Sequence, residues 1–146
     1  NPFYPGDNKL TFEEHSDSTE ENELKLLSNM ALASNEIDWK PAIILSELYL
    51  EKFAKNKIQN IFKNRKLKLH KKIERLGLTE VSLFLYTLHE INSKEFTEIN
   101  KLQKVRHSIL HPKKSTEPLF YGDKANKKYK PLIQNAIKVI SSLKNH

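Results

Sequence analysis

The sequence predicts an all-α fold, a compact bundle of five to six helices. Three observations predict it. Glycine occurs only three times in 146 residues, too few for a turn-rich all-β chain. Leu, Lys and Glu, all good helix formers, dominate together with Ile and Asn. Apolar residues recur at helical spacing, in runs separated by short polar stretches that carry capping or breaking residues. A chain of this length fits one domain and can bury a core without disulfide or metal staples.

Residues 1–22 read as a polar, acidic N-terminal arm, ahead of a helical domain over 23–146. Pro2, Pro5 and Gly6 break regular structure, and the stretch from Glu13 to Glu23 is rich in Ser, Asp, Asn and Glu. A first helix is expected from about Thr19 to Asn35, with Leu24, Leu27, Met30 and Leu32 as its apolar face. A second starts near Asp38 as N-cap, tolerates Pro41 in its first turn and runs to about Asn64. A third covers about Leu67 to Leu76 and stops at Gly77. Thr79 can cap a fourth over Glu80 to Ile91, and Ser93 a fifth over Lys94 to Leu110, which ends before Pro112. Asp123 can cap a last helix to about Leu143, with Pro131 kinking it or marking its true start.

Cysteine is absent, which excludes disulfides and thiolate metal sites and is compatible with a reducing cytoplasm, the expected location. No stretch is apolar enough to span a bilayer, so no membrane partner is expected. The chain begins at Asn1 rather than Met, which reads as a piece of a longer or processed protein with room for an upstream domain. The net charge of +7 is unevenly placed. Residues 1–38 hold nine acids and two bases, whereas residues 39–146 hold 23 bases and nine acids. A basic body points to a polyanionic partner, although a lysine-rich surface that only keeps a small protein soluble gives the same count.

The fifth expected helix carries the informative chemistry. At 100° per residue, Ile99, Leu102, Val105, Ile109 and Leu110 form one apolar arc, and Arg106 projects inside it. Arginine is rarely buried unpaired, so a partner carboxylate is predicted. The second helix offers Glu47 and Glu51, which lie in the middle of an arc made by Ile43, Ile44, Ala54, Ile58, Ile61 and Phe62. Such a pair can fix helix register and nothing more, or it can hold a functional guanidinium in place. His111 directly precedes Pro112, which disfavours α geometry there and places the imidazole at a frayed, partly exposed helix end. Imidazole exchanges protons near neutral pH. A lone histidine at a helix end is usually a surface residue; paired with Arg106 on a basic body it is a stronger candidate.

The run Arg106-His107-Ser108-Ile109-Leu110-His111 resembles the active-site motif of the HEPN ribonuclease and toxin family, which places Arg, a polar residue, a few variable residues and then His. The segment Ile99 to Val105 is similar to the helix that leads into that motif. The resemblance covers about residues 38–144 as architecture and six residues as motif. It implies metal-independent RNA cleavage by a homodimer, with two motifs brought together, and an antitoxin or an upstream domain as further partners. Arg106 and His111 would be catalytic, His107 would contact phosphate or orient its neighbours, and Glu47 or Glu51 would steady the arginine. Lys113 stands two residues after His111, where some HEPN toxins have tyrosine, so the chain departs from that subgroup. No cofactor is implied. His107 and His111 are four apart and could share a metal, but no HExxH pattern, cysteine or nearby aspartate supports one.

Lys63, Arg65, Lys66, Lys68, His70, Lys71 and Lys72 form the densest basic run. Lys66, Lys68, Lys71 and Lys72 are candidates for tracking an RNA backbone, with Lys113, Lys114, Lys124, Lys127, Lys128 and Lys130 extending that surface. Any one of them can equally belong to a solvated helix face. Phe120 and Tyr121 lie among the later lysines and could stack on a base or staple the loop to the core, the role favoured for Phe120.

Overall fold

A computed structural model describes residues 19–33, 38–114 and 118–145. Every regular element among them is helical. Helix α1 spans Thr19–Ala33, α2 Lys40–Asn64, α3 Leu78–Thr87, α4 Ser93–Leu110 and α5 Gly122–Lys144, with short 3-10 turns at Lys71–Arg75 and Pro112–Lys114. The expected arm, 1–22, falls outside the described residues up to position 18, and residues Thr19 to Asn22 belong to α1.

The long α2 is the hub and packs against each of the other four helices. Leu24, Ile43, Leu50, Ile58, Leu85, Ile99, Leu102, Ile133 and Ile140 form a continuous buried core around it. Contacts along α2 fix the directions. Trp39 meets Asn126 at one end of α5, and Phe53 lies beneath Lys144 at the other, so α5 runs parallel to α2. Lys57 pairs with Glu90 just before α4 begins, and Glu47 pairs with Arg106 near its end, so α4 runs antiparallel to α2. Among the described residues no helix is long and apolar enough to cross a membrane.

The expected third α-helix does not form. Leu67 to His70 lack regular structure and only a single 3-10 turn follows, over Lys71–Arg75. The reason is local. Lys66 takes the left-handed conformation, φ 57°, and its N–H donates to the Lys63 carbonyl while that of Leu67 donates to the Phe62 carbonyl. This double bond pattern closes α2. Beyond it, like charges four apart, such as Lys68 and Lys72, oppose helix in a segment too short to nucleate one well. Leu69, Ile73 and Leu76 still pack against the core.

Several boundaries move for the same kind of reason. Gly77 is the N-cap of α3 rather than the end of a preceding helix, and its N–H donates to Glu80 Oε1 at 3.0 Å. Helix α3 ends at Thr87 because His89 turns left-handed, φ 61°, and repeats the closing pattern seen at Lys66. Asn92, not Ser93, caps α4: its Oδ1 accepts from the Glu95 N–H at 2.8 Å and Glu95 Oε1 accepts from the Asn92 N–H at 2.9 Å. Helix α5 starts at Gly122, and Pro131 lies within it, exposed, rather than beginning it.

Candidate functional site

The arginine predicted to need a carboxylate has one. Arg106 Nη1 lies 3.2 Å from Glu47 Oε2, bridging α4 and α2. The two partners sit in different surroundings. The Glu47 side chain is 6 % exposed and that of Arg106 37 %, so the carboxylate anchors the fork from within while the arginine side chain stays partly exposed. Arg106 Nε is buried and has no hydrogen-bond partner among the described residues. Burial pushes the Glu47 carboxyl above its ordinary value of 4.5; the Arg106 charge opposes that rise and the Glu51 charge adds to it. Glu51 itself pairs with Lys55, 3.0 Å away on the next turn, and not with Arg106. Of the two candidate acids, geometry therefore selects Glu47.

Helix α4 then releases the chain at His111. Its φ of −134° and ψ of 63° lie outside the helical region, as Pro112 requires. The backbone is nonetheless held: the His111 N–H donates to the His107 carbonyl at 2.8 Å, and the His111 carbonyl accepts from the Lys114 N–H at 3.0 Å. The rings of His107 and His111 are 5.0 Å apart, tilted by 47°, and both residues are exposed. Lys113 and Lys114 follow in the exposed 3-10 turn. The last turn of α4 and the 3-10 turn after it thus carry a braced guanidinium, two imidazoles and two ammonium groups, with Arg106 about 100° around the helix from His107 and about 140° from His111. Among the described residues no three His, Asp or Glu side chains converge to hold a metal ion.

The basic candidates do not form one continuous surface. Lys66, Lys68, Lys71 and Lys72 are described outside any α-helix, in the segment that follows the far end of α2. From Glu47 to Asn64 that helix advances roughly 25 Å, at about 1.5 Å per residue. Lys66 and Lys68 therefore lie at the opposite end of the bundle from Lys113 and Lys114, because α2 and α4 are antiparallel. Lys124, Lys127, Lys128 and Lys130 lie on the first half of α5, the end of the bundle at which α4 finishes.

Sequence reasoning missed two features, one midway along α4 and one at this end. A cleft of about 400 Å³ between α4 and α5 is lined by Lys101, Lys104 and Lys128 together with Glu98 and Asn135. Its only sequence signal is the i, i+3 spacing of Lys101 and Lys104. The second is an aromatic cavity that includes Trp39, which also serves as the N-cap position of α2; of its walls only Phe120 and Tyr121, among the later lysines, carry a sequence signal. The chain shows no significant match to any family model, curated protein or solved structure.

Proposed function

We propose that the chain is a metal-independent endoribonuclease of HEPN type, a toxin or defence effector that cleaves RNA with Arg106 and His111. The observation that carries this reading is the braced but accessible arginine. Glu47 fixes one Nη 3.2 Å away, yet Arg106 stays 37 % exposed, on the helix end that also presents His107 and His111. In the reaction, the ribose 2′-oxygen attacks phosphorus and the P–O5′ bond breaks. The 2′-hydroxyl proton passes to a neutral imidazole, and the leaving O5′ takes a proton from a protonated one, giving a 2′,3′-cyclic phosphate and a free 5′-hydroxyl. Arg106 stabilises the charge that builds on the non-bridging oxygens. His107 orients the phosphate, and Lys113 and Lys114 hold neighbouring phosphates. In a homodimer a second His111 would supply the complementary acid or base; an antitoxin or an upstream domain would control access.

A non-catalytic HEPN-like domain that binds nucleic acid, a nucleotide or a protein partner is the second reading. The observation in its favour is that Arg106 already spends part of its fork on an internal ion pair, which alone could set helix register. Incubating the purified chain with RNA in EDTA separates the two. Cleavage that persists in chelator and falls at least about 100-fold in His111→Ala supports catalysis. RNA binding at low salt without any cleavage supports the second reading.

A further inference from the structure

At the end of the bundle where α4 finishes lies a cavity of about 250 Å³ between the ends of α1 and α4 and the starts of α2 and α5. Its floor is apolar, made by Ala31, Ile43 and Ile109. Its walls are aromatic and polar: Trp39, Lys40, Phe120, Tyr121, Asn126 and Tyr129. Two hydrogen bonds hold it in shape. Trp39 Nε1–H donates to Asn126 Oδ1 at 2.9 Å, and the Phe120 N–H donates to the Tyr129 hydroxyl at 3.0 Å. Trp39 and Tyr129 are buried, whereas Tyr121 is 64 % exposed. The Lys40 ammonium lies over one face of the Tyr121 ring, and the exposed remainder of the ring, on the rim of the cavity, is available for stacking.

We propose that this cavity binds a single nucleobase, stacked on the Tyr121 ring and read along one edge by the Asn126 amide. The chemistry selects a base over a purely apolar ligand. The indole donor fixes the amide orientation by occupying Oδ1, which leaves Asn126 Nδ2 with no partner among the described residues. An amide N–H donor matches the ring nitrogens and carbonyl oxygens of a heterocycle. Aromatic faces stack on any base. Lys40 Nζ, 6.0 Å from the Tyr121 ring centre and 3.9 Å from Asp38, supplies a cation at the mouth for the attached phosphate. Ile109 lies in the last turn of α4, on the side away from His107 and His111. A strand leaving the cavity crosses one helix end, about 10–12 Å, to reach them. As a base subsite the cavity rests on the ribonuclease reading; base binding itself is measured without cleavage.

Trp39 is the only tryptophan, so its fluorescence reports on the cavity directly. The full chain is titrated with each of the four nucleoside 5′-monophosphates, with ribose 5-phosphate, and with a short single-stranded RNA. A saturable change with at least one nucleotide and none with the sugar phosphate is expected. RNA should bind at least about tenfold tighter than the monophosphate, because adjoining phosphates reach Lys113 and Lys114. Equal affinity would instead identify a free nucleotide as the source of the base. Tyr121→Ala should weaken binding about tenfold without moving the melting midpoint, since the ring is exposed. Asn126→Asp keeps an acceptor for the indole but removes the donor, and should weaken binding at least about fivefold. No response to any nucleotide at millimolar concentration, an equal response to ribose 5-phosphate, or unchanged affinity in both variants overturns the assignment. Base binding without cleavage would sink the catalytic reading alone, and cleavage without base binding would sink this one alone.

Discussion

Lys66 and His89 are the non-glycine residues with positive φ among those described, and each sits where a helix is closed by crossed backbone bonds. A side chain in that conformation costs about 1–2 kcal/mol, partly offset in glycine by its freer unfolded chain. Lys66→Gly and His89→Gly should therefore each stabilise the fold by about 0.5–1 kcal/mol, read as a rise in the urea midpoint at unchanged slope. His89 explains why the end of α3 is illegible in the sequence, where the expected helix runs on to Ile91, whereas the end of α2 falls at Asn64 as expected. The usual mark of such a stop is glycine, and α3 uses histidine, which carries no such signal. The pairing of Arg106 is legible for the opposite reason: a guanidinium projected into an apolar arc has to find an acid. Which acid it finds depends on which face of α2 meets α4, and sequence spacing alone leaves Glu47 and Glu51 equivalent. Because burial raises the Glu47 carboxyl, its native state holds a proton more tightly than the unfolded chain does. Stability thus falls as pH rises from the ordinary value of 4.5 through the raised one. Arg106→Met removes the charge that opposes the rise, so a carboxyl-carbon NMR titration should show Glu47 moving further up. A fall, or no movement, would mean that the pair does not exist in solution.

At the level of elements, α1 is the clearest case of docking that its own pattern does not disclose. The expected apolar face includes Met30 and Leu32, yet both are exposed, and only Leu24 and Ala31 are fully buried apolar residues. Leu24, Ala31 and Leu27 still pack into or against the core, and polar contacts add to them. Lys144 Nζ lies 2.8 Å from Glu21 Oε1 and 3.2 Å from Glu20 Oε1, and the Ser141 hydroxyl donates to Glu21 Oε2 at 2.9 Å. These partners lie more than a hundred residues apart in sequence, so no local window contains them. Burial alone would lower the Lys144 ammonium, but its bonds to Glu21 and Glu20 outweigh that and raise it. Glu21 is 3 % exposed, and removing its cation leaves a buried charge. Lys144→Met should cost about 3 kcal/mol, seen as a lower thermal midpoint. The Tyr49 hydroxyl donates to Glu23, which pushes the phenol up to about 12. Its raised value means that this contact contributes fully below pH 10 and is lost as pH climbs towards 12. In an ultraviolet titration, one of the five tyrosines should ionise late, and Tyr49→Phe should remove that late component.

Across the whole molecule, the sequence carries the helical class and the order of the elements, because periodicity and punctuation are local properties. It does not carry the placement of the charges. The dense run after α2 and the lysines after α4 read as one surface on paper, but the antiparallel course of α2 and α4 puts them at opposite ends of the bundle. An RNA strand engaged at His111 would meet Lys113 and Lys114 first. Replacing both with Ala should flatten the salt dependence of RNA binding by about two units of slope at most, whereas replacing Lys66 and Lys68 should change it little. The aromatic cavity beside that end is legible only in Phe120 and Tyr121, since its walls come from four separate parts of the chain.

The central claim is that the Glu47-braced Arg106 and the exposed His111 cleave a phosphodiester. The most direct test is single-turnover cleavage of RNA in EDTA by wild type, Arg106→Ala and His111→Ala, with products resolved by their ends. Cleavage that leaves 2′,3′-cyclic phosphate and falls at least about 100-fold in both folded variants is the predicted result. A wild-type chain that leaves RNA intact, or variants that cut as fast as it does, would contradict the account.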